Sequence, residues 1–550
     1  MSTDPSNSSG PEYLEEPATD SPRSGRGRRA AVLGLAAVGV AGVVALGGWA
    51  AVSLMSDGTQ PAEAIPADAL GYASLDLDPS ASQKIEAIKI LKKFPGLEKE
   101  MDISSQDDLR RWVFEKAQEE GECKELDYDE DVAPWIGDRI AFAGVPGEKD
   151  GDPATPLLAL QVTDEEAASK GISALAECGE AGEDFGFAFS GDYALISDSE
   201  EHAESLAAAA EEASLADDAN FQKWTERVGD PGIVTMYAAP GAVDAMFDMQ
   251  GDLTEKLSPM AGAEEQALLQ AQSEMERMNE RLKEMYEDFS GMAGVVRFED
   301  GAMEAEFAAE SSLESTGMKF TPETTIDVTS LPSGTAAVLG LGLPEDWADS
   351  YLDMLGKITG DEQAMDQMLA QAEAQTGLEI PEDLERLLGD GVAVALDEDL
   401  NIEAASTDPM AIPAGIRVSG DPQEIRGAVD KIKRALGPQS EALVVEEGDG
   451  VVALGLDPDY VKGLAAKGDL GSDASFQDVV PDADRANSVF YLDIDEVEGW
   501  VIQAMQQGGQ IGPDEKKVLD NLAPLRALGM SSWIDEEGNA GGMLLRLSTE

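Results

Sequence analysis

The sequence predicts an α+β protein with two homologous tandem halves of antiparallel sheet covered by helices, preceded by one transmembrane helix. Three observations support this. Residues 30–55 carry no charged side chain. Apolar stretches that alternate with polar residues meet at short turns, as β-hairpins do. Landmarks in the first half of the chain recur in the same order in the second, at a distance typical of domain duplication and too long for a solenoid repeat.

The uncharged segment 30–55 is long enough to cross a bilayer, whose core of about 30 Å needs roughly 20 helical residues. Basic residues precede it and acidic residues follow it, so we expect a cytoplasmic N-terminus and extracellular C-terminal domains in a single-pass cell-membrane protein. The topology determinants are Arg23, Arg26, Arg28 and Arg29. A cleaved signal peptide is the main alternative, although its apolar core usually has only about 7–15 residues. A buried soluble helix is the other.

The anchor separates parts of very different composition. Residues 1–29 are rich in Ser, Pro, Gly and charge and are expected to form a disordered cytoplasmic tail. Residues 56–64 form a short linker that keeps the next domain near the membrane. The predicted extracytoplasmic α+β repeats then cover residues 65–320 and 331–550. A polar, Pro-rich seam lies between them.

The internal similarity rests on short motifs in a shared order. Residues 128–143 align with 380–395, because both read as an acid-capped helical turn, then Gly-Asp, then a strand. Residues 215–222 align with 470–477, where the pattern Leu-x-x-Asp-Ala-x-Phe-Gln occurs twice. The starts of the halves, 65–77 and 331–343, also resemble each other. This order predicts the same fold twice.

Predicted hairpins occupy corresponding places in the two halves. The closing hairpins turn at Asp300-Gly301 and at Gly538-Asn539, and the middle ones near Ser190-Gly191 and residues 448–450. Asp-Gly between alternating apolar residues is a strong hairpin signal. Hairpins outnumber strand–helix–strand crossovers, so we expect antiparallel sheets with helices on one face and no parallel winding.

The chain is strongly acidic, with 110 Asp and Glu against 38 Lys and Arg and a net charge of −72. Such a polyanion repels nucleic acid and anionic lipid headgroups, so both are poor partner candidates, and no nucleic-acid partner is expected. Adaptation to a salty exterior explains the charge most simply. Binding of a basic partner or of divalent cations is the alternative.

The only cysteines, Cys123 and Cys178, both follow the anchor. In an oxidising compartment they are candidates for a disulfide. A closed loop of about 55 residues would contribute about 4 kcal/mol on the chain-entropy account. The alternative is a pair of separate buried thiols.

Catalytic motifs are absent from the sequence. His202 is the single histidine and lies on an Ala-rich stretch, so we expect a solvated surface residue. One histidine excludes multi-histidine metal sites, and neither a phosphate-binding loop nor a nucleophile elbow is present. No catalytic or cofactor-binding residue is therefore predicted, and no cofactor. Metal binding stays open because acidic clusters could hold calcium. These clusters are Asp127, Asp129, Glu130 and Asp131; Asp397, Glu398, Asp399 and Asn401; and Asp493, Asp495, Glu496 and Glu498.

Several motifs after the anchor resemble a known family. They are the run Ile65-Pro-Ala-Asp-Ala-Leu-Gly-Tyr-Ala-Ser-Leu-Asp-Leu-Asp-Pro79, the helix end Lys93-Phe-Pro-Gly-Leu97 and the element Trp135-Ile-Gly-Asp-Arg139. Together they resemble the actinobacterial membrane-anchored proteins catalogued as domain of unknown function 3352. The resemblance implies an envelope location and supplies no activity and no site residues. The second half departs from it, with Leu343-Pro-Glu345 in place of the Asp-Leu-Asp-Pro run.

These observations favour a non-enzymatic envelope protein that binds a partner or acts as a scaffold outside the membrane. Its expected partners are the membrane, through the N-terminal helix, and an unknown envelope protein or apolar ligand. One alternative is a lipid or apolar-ligand carrier with a cavity of at least about 300 Å³ between sheet and helices. The other is an envelope hydrolase with paired carboxylates of shifted pKa in a cleft.

Overall fold

A computed structural model describes residues 59–77, 81–94, 110–111, 114–115, 118, 126–147, 153–178, 186–230, 232–247, 277–281, 283, 286–310, 318–359, 362–508, 513–535 and 540–550. Over these residues the protein is an α+β fold with one large antiparallel sheet. The predicted tail, the anchor at 30–55 and the four arginines before it lie outside them. No helix within the described ranges is long and apolar enough to cross a membrane.

The strands of the first half form an array of eight. In chain order they are β1 Gly71–Asp76, β2 Ile136–Val145, β3 Thr155–Val162, β4 Gly186–Ser190, β5 Tyr193–Ser197, β6 Val234–Ala238, β7 Met292–Glu299 and β8 Ala302–Glu310. We call this the first array. Its helices include α1 Ala81–Leu91, α2 Glu165–Cys178, α3 Glu200–Glu212 and α4 Ala219–Arg227.

The second half supplies a second array of eight strands. They are β9 Thr335–Gly342, β10 Gly391–Asp397, β11 Ala414–Ser419, β12 Val444–Glu447, β13 Val451–Gly455, β14 Ser488–Asp493, β15 Leu525–Ile534 and β16 Ala540–Thr549. The helices of this half include α5 Trp347–Thr359, α6 Glu362–Thr376, α7 Glu382–Leu388, α8 Ile402–Thr407, α9 Pro422–Leu436, α10 Pro458–Ala465, α11 Ala474–Val479, α12 Ile494–Gly508 and α13 Pro513–Leu522.

Local sequence explains the strands and their turns. Along β2 every second residue is buried, as expected for a pleated strand whose side chains alternate between faces. Between β7 and β8, Asp300 and Gly301 adopt φ values of 50° and 79°. Positive φ at both positions matches the right-handed twist of the flanking strands, so the predicted turn is confirmed. The other predicted hairpins are also present, as β4–β5, β12–β13 and β15–β16.

The two arrays join into one 16-stranded sheet through the pair β8–β16. Outward from this pair, one direction runs β7, β6, β1, β2, β3, β5 and β4. The other runs β15, β14, β9, β10, β11, β13 and β12. The strand order is therefore the same in both directions, and every neighbouring pair is antiparallel.

The registers also correspond. Asp76 lies across from Arg139 in the β1–β2 ladder, and Gly342 lies across from Gly391 in the β9–β10 ladder. Aligning 65–77 with 331–343 makes Asp76 equivalent to Gly342, and aligning 128–143 with 380–395 makes Arg139 equivalent to Gly391. Two independent motif alignments thus show that equivalent residues of the two arrays lie opposite each other in equivalent ladders.

Charged side chains are buried where the arrays meet. Glu304 of β8 is 2 % exposed. It pairs with Arg297 of β7 and, at 2.8 Å, accepts a hydrogen bond from Nη1 of Arg546 of β16. Arg297 also pairs with Glu306, and burial raises the pKa of Glu306 despite that partner. These two acids and two arginines form a compensated network across the junction.

Helices lie on both faces of the sheet, whereas the sequence led us to expect one. In the first array, Ala159 belongs to a core with Leu206 of α3 and Trp224 of α4, while its neighbour Leu160 packs in a core with Ile172 of α2. Adjacent strand residues point to opposite faces, so each face has its own core. In the second array the cover is incomplete, since apolar side chains of β9, β10 and β11 are exposed, namely Leu339, Leu341, Val394 and Ile416.

We expect Glu304→Gln to lower the free energy of unfolding by about 3 kcal/mol, because it removes the buried charge that pairs with Arg297 and Arg546, which are only 13 % and 12 % exposed. Denaturant titration of the full-length chain, followed by tryptophan fluorescence, measures the change. Glu299→Gln is the matched control, since Glu299 lies 3.9 Å from the same Arg297 but is 55 % exposed. Its effect should stay below about 1 kcal/mol. Equal effects of the two substitutions would contradict a role for the buried network.

Candidate ligand cavity in the first array

A buried ion pair lies at one end of the β1–β2 ladder. Nε of Arg139 donates to Oδ2 of Asp76 at 3.0 Å. The Arg139 and Asp76 side chains are only 5 % and 8 % exposed. Either charge would be costly to bury alone, and the register that sets them opposite each other provides the compensation.

The protonation states around this pair are stable. Burial by itself lowers the pKa of Arg139, but the hydrogen bond and charge of Asp76 outweigh it, so the net shift is upward. Burial raises the pKa of Tyr72 and of Tyr193 well above the usual range. Near neutral pH the arginine stays charged and both tyrosines stay neutral. These three groups therefore offer fixed polar contacts and no proton for transfer.

Arg139 also holds the segment that starts the described chain. The carbonyl oxygen of Thr59 accepts hydrogen bonds from Nη1 of Arg139 at 3.0 Å and from the hydroxyl of Tyr193 at 2.7 Å. Oγ1 of Thr59 donates to Asp192 at 2.9 Å. The next residues form a 3₁₀ turn, Pro61–Glu63, and Oε1 of Glu63 accepts from the Gln60 N–H at 2.8 Å. The predicted linker thus packs onto the sheet.

A cavity of about 340 Å³ lies beside the ion pair. This volume falls within the range of about 300–1,000 Å³ typical of ligand pockets. The linker segment, β1, β6, β7 and α4 contribute to its wall. Its polar lining includes Gln60, Glu63, Ser74, Asp76, Arg139, Thr225 and Thr235, and its apolar lining includes Tyr72, Leu75, Phe221, Val228, Ile233 and Val295.

The repeated Leu-x-x-Asp-Ala-x-Phe-Gln motif places an aromatic ring in this wall. Asp218 caps α4 by accepting from the Phe221 N–H at 2.8 Å, and Phe221 packs edge-on against Tyr72 with ring centroids 5.7 Å apart. In the second array Asp473 caps α11 in the same way, accepting from the Phe476 N–H at 3.0 Å. The motif therefore encodes the same capped helix twice.

The corresponding place in the second array is filled. Ile326 and Val328 are 3 % and 0 % exposed. When the alignment of the two starts is continued upstream, Ile326 and Val328 are equivalent to Gln60 and Ala62 of the first array. A Cβ on Gly340 would lie 2.6 Å from Val328 Cγ1, and one on Gly391 would lie 3.0 Å from Ile326 Cδ1. Ile326 and Val328 pack against glycines of the sheet and thus fill the space in the second array that corresponds to the cavity of the first.

The first predicted acid cluster has a structural role. Oδ1 of Asp127 accepts from the N–H groups of Asp129 and Glu130 and so caps the helical turn Tyr128–Val132. Asp129 also pairs with Arg111, and that hydrogen bond lowers the pKa of Asp129 against a small opposing effect of burial. These interactions account for the cluster without a metal.

The other two acid clusters come together in the second array. Burial raises the pKa of Glu398, and the charges of Glu496 and Asp493 add to the increase. Burial also raises the pKa of Asp397 and of Asp495. Within the described part of the chain, no group of three or more His, Cys, Asp and Glu side chains could hold a metal ion.

The expectation that His202 is a solvated surface residue is wrong. His202 is 4 % exposed, and its Nδ1 lies 2.9 Å from Oδ1 of Asp198 and 3.4 Å from Oγ of Ser197. The reason is helical periodicity, since His202 shares the buried stripe of α3 with Leu206 and Ala210.

The predicted disulfide stays a prediction. Cys123 lies outside the described residues, and Cys178 is the last residue of α2.

Asp76 and Arg139 both belong to the family motifs of the sequence, but the sequence alone did not predict that the two residues pair. The available signal was that an acid and a base stand at equivalent places where the second half has Gly342 and Gly391. That difference becomes meaningful only once β1 and β2 are known to be neighbours.

The fold and the cavity define an antiparallel α+β protein with a ligand-sized space in its first array. Residues 30–184 match the model of the family described as Protein of unknown function (DUF3352). The family predicted from the sequence is thereby confirmed, and the matched part contains both Asp76 and Arg139. No curated protein and no solved structure matches the chain.

The pKa values in the joined acid clusters predict how stability varies with pH. Raised carboxyl pKa values mean that the folded chain binds protons more readily than the unfolded chain. The stability that these groups contribute is therefore fully present at pH values below the ordinary carboxyl pKa, and it is lost as the pH rises through the raised pKa values. We expect Asp397→Asn to raise the Tm at pH 7 by about 1–2 °C and to flatten its fall between pH 4 and pH 7. Thermal unfolding across that range measures both. The control Asp449→Asn changes an exposed acid in the turn between β12 and β13 and should keep the wild-type slope; an unchanged slope in Asp397→Asn would contradict the assignment.

Proposed function

We propose that this chain is a non-enzymatic, single-pass membrane protein of the cell envelope, with two homologous repeats outside the cytoplasm, the first of which binds a small ligand. The observation that carries the proposal is the cavity beside Arg139 and Asp76. Two arrays with the same strand order differ at this place, because one is filled by Ile326 and Val328 and the other is open. A space filled in one repeat and lined with charged side chains in the other is best explained by ligand binding.

Duplication of one ancestral unit accounts for the symmetry of the sheet. The matching strand order, the matching β1–β2 and β9–β10 registers and the twice-used capped helix are three separate agreements. Repeat boundaries at 65–320 and 331–550 fit them, with the preceding segments 59–64 and 324–330 packed onto their own arrays.

The cavity favours binding over hydrolysis. A hydrolase that uses two carboxylates needs both available to one substrate. Here Asp76 is held by Arg139, and Glu63 accepts a backbone hydrogen bond from Gln60. The cavity also differs from the one expected of an apolar-ligand carrier, since it has the required size but is lined by an ion pair and several hydroxyl groups.

The sequence supports a location outside the membrane, through the arginines before 30–55 and the acids after it. Thr59 follows the predicted anchor closely and bonds directly to Arg139. A ligand in this cavity would therefore be bound close to the membrane surface.

Ligand retention tests the binding role. We expect the full-length chain, purified from its native membranes in mild detergent, to release a small molecule on denaturation, detected by mass spectrometry. The double variant Gln60→Ile/Ala62→Val carries the side chains of the second array into the first and should release at least tenfold less. Ala208→Val is the matched control, because Ala208 is an exposed alanine on α3 away from the cavity. Equal release from variant and control, or none from the wild type, would contradict the proposal.

Cysteine labelling tests the topology. In a background with Cys123→Ser and Cys178→Ser, we expect a membrane-impermeant maleimide to label Ser205→Cys on intact cells, and to label Ser8→Cys only after lysis. Ser205 is an exposed residue of α3. The intact mass of the purified chain distinguishes a retained anchor from a cleaved signal. Labelling of Ser8→Cys on intact cells would contradict the proposed orientation.

A further inference from the structure

The charge of the cavity wall restricts what it can hold. Arg139 and Asp76 compensate each other at 3.0 Å, so the buried part of the wall has no net charge. An anionic or cationic group brought against this pair would leave one buried charge without compensation, which is strongly unfavourable. An anion is further disfavoured by Glu63 in the same wall and by the net charge of −72 on the chain. Glu63 is exposed and accepts a hydrogen bond from the Gln60 N–H, so it does not compensate a cation held against the buried pair.

Hydroxyl groups lie next to the ion pair. Ser74 and Thr235 face each other across the β1–β6 ladder, and both line the cavity together with Thr225. A hydroxyl donates one hydrogen bond and accepts others, whereas a guanidinium only donates. The hydrogen bonds of Arg139, to Asp76, Thr59 and Tyr193, use only part of its N–H groups. The polar side of the cavity thus offers donors and acceptors together.

The rest of the wall is apolar. Phe221 lies on α4 and Val228 directly follows that helix. Val295 lies on β7, and Ile233 lies just before β6. About 340 Å³ holds roughly ten non-hydrogen atoms, at about 30 Å³ for each. A bound molecule of this size would place one end on the hydroxyl groups and the other against Phe221.

We infer that the cavity binds a small uncharged amphipathic molecule whose polar end both donates and accepts hydrogen bonds, as a primary amide does, and whose body is a short apolar chain. This inference rests on the proposed binding function and names the chemical class of its ligand. The observation that carries it is the juxtaposition of a self-compensated ion pair, adjacent hydroxyl groups and an apolar wall in one ligand-sized space.

A series with one chain and three head groups tests the class. Hexanamide, hexanoate and hexylamine are titrated into the full-length chain in detergent, at 0.5 M NaCl to screen the acidic surface, and binding is followed by ligand-detected NMR. We expect hexanamide to bind at least tenfold more tightly than either charged analogue, because it leaves no buried charge uncompensated. Affinity in the millimolar range is expected for so small a ligand.

Variants at one hydroxyl locate the binding. Thr235→Val removes the hydroxyl with little change of shape and should weaken hexanamide binding roughly fivefold. Thr235→Ser keeps the hydroxyl and should bind as the wild type does. Tighter binding of hexanoate or hexylamine, or equal binding by the Val and Ser variants, would overturn the amide-like class while leaving the release experiment to judge the binding function. No binding of any of the three compounds would also overturn it, and retained release of a native molecule would show that only the class was wrong.

Discussion

The backbone pairing of β8 with β16 is the interaction on which the rest of this structure depends. Each array alone would end at an unpaired edge strand, with a row of N–H and C=O groups free to pair with another chain. The pairing removes both edges at once and buries Glu304 where Arg297 and Arg546 can reach it. A sheet of this width therefore rests on a junction that combines main-chain hydrogen bonds with a compensated group of charges.

The two arrays diverge where the common fold permits it. The β1–β2 and β9–β10 ladders have the same register, so the positions of Asp76 and Arg139 and of Gly342 and Gly391 are geometrically equivalent. Glycines let the preceding segment lie flat on the sheet and fill it, whereas the ion pair occupies the sheet surface and excludes that packing. The difference between a filled core and a polar cavity thus lies in side chains of the sheet surface and of the segment that precedes each array, while the strand order stays the same.

Local features of the fold were predictable because their causes lie close together in sequence. The Asp300-Gly301 turn follows from residues that tolerate positive φ, and the helix capped by Asp218 follows from a motif of eight residues. The burial of His202 follows from the stripe that it shares with Leu206 and Ala210 on α3, opposite the exposed Glu201 and Glu204, and the Ala-rich composition drew attention away from that periodicity. The Asp76–Arg139 pair joins residues far apart in the chain, and the joining of two halves into one sheet is a still longer-range property. Neither leaves a periodic signal.

The long stretch of chain between β8 and β16 has a consequence for biosynthesis. The first array is complete once residue 310 has emerged, yet one edge of β8 stays unpaired until residues 540–549 are made. At about 5–20 residues per second the delay is on the order of tens of seconds. During that interval the half-finished chain presents an open strand of nine residues, Ala302–Glu310. Its glutamates, Glu304, Glu306 and Glu310, outnumber Arg297 of β7, so this edge keeps a net negative charge that discourages association with other nascent chains until β16 is made.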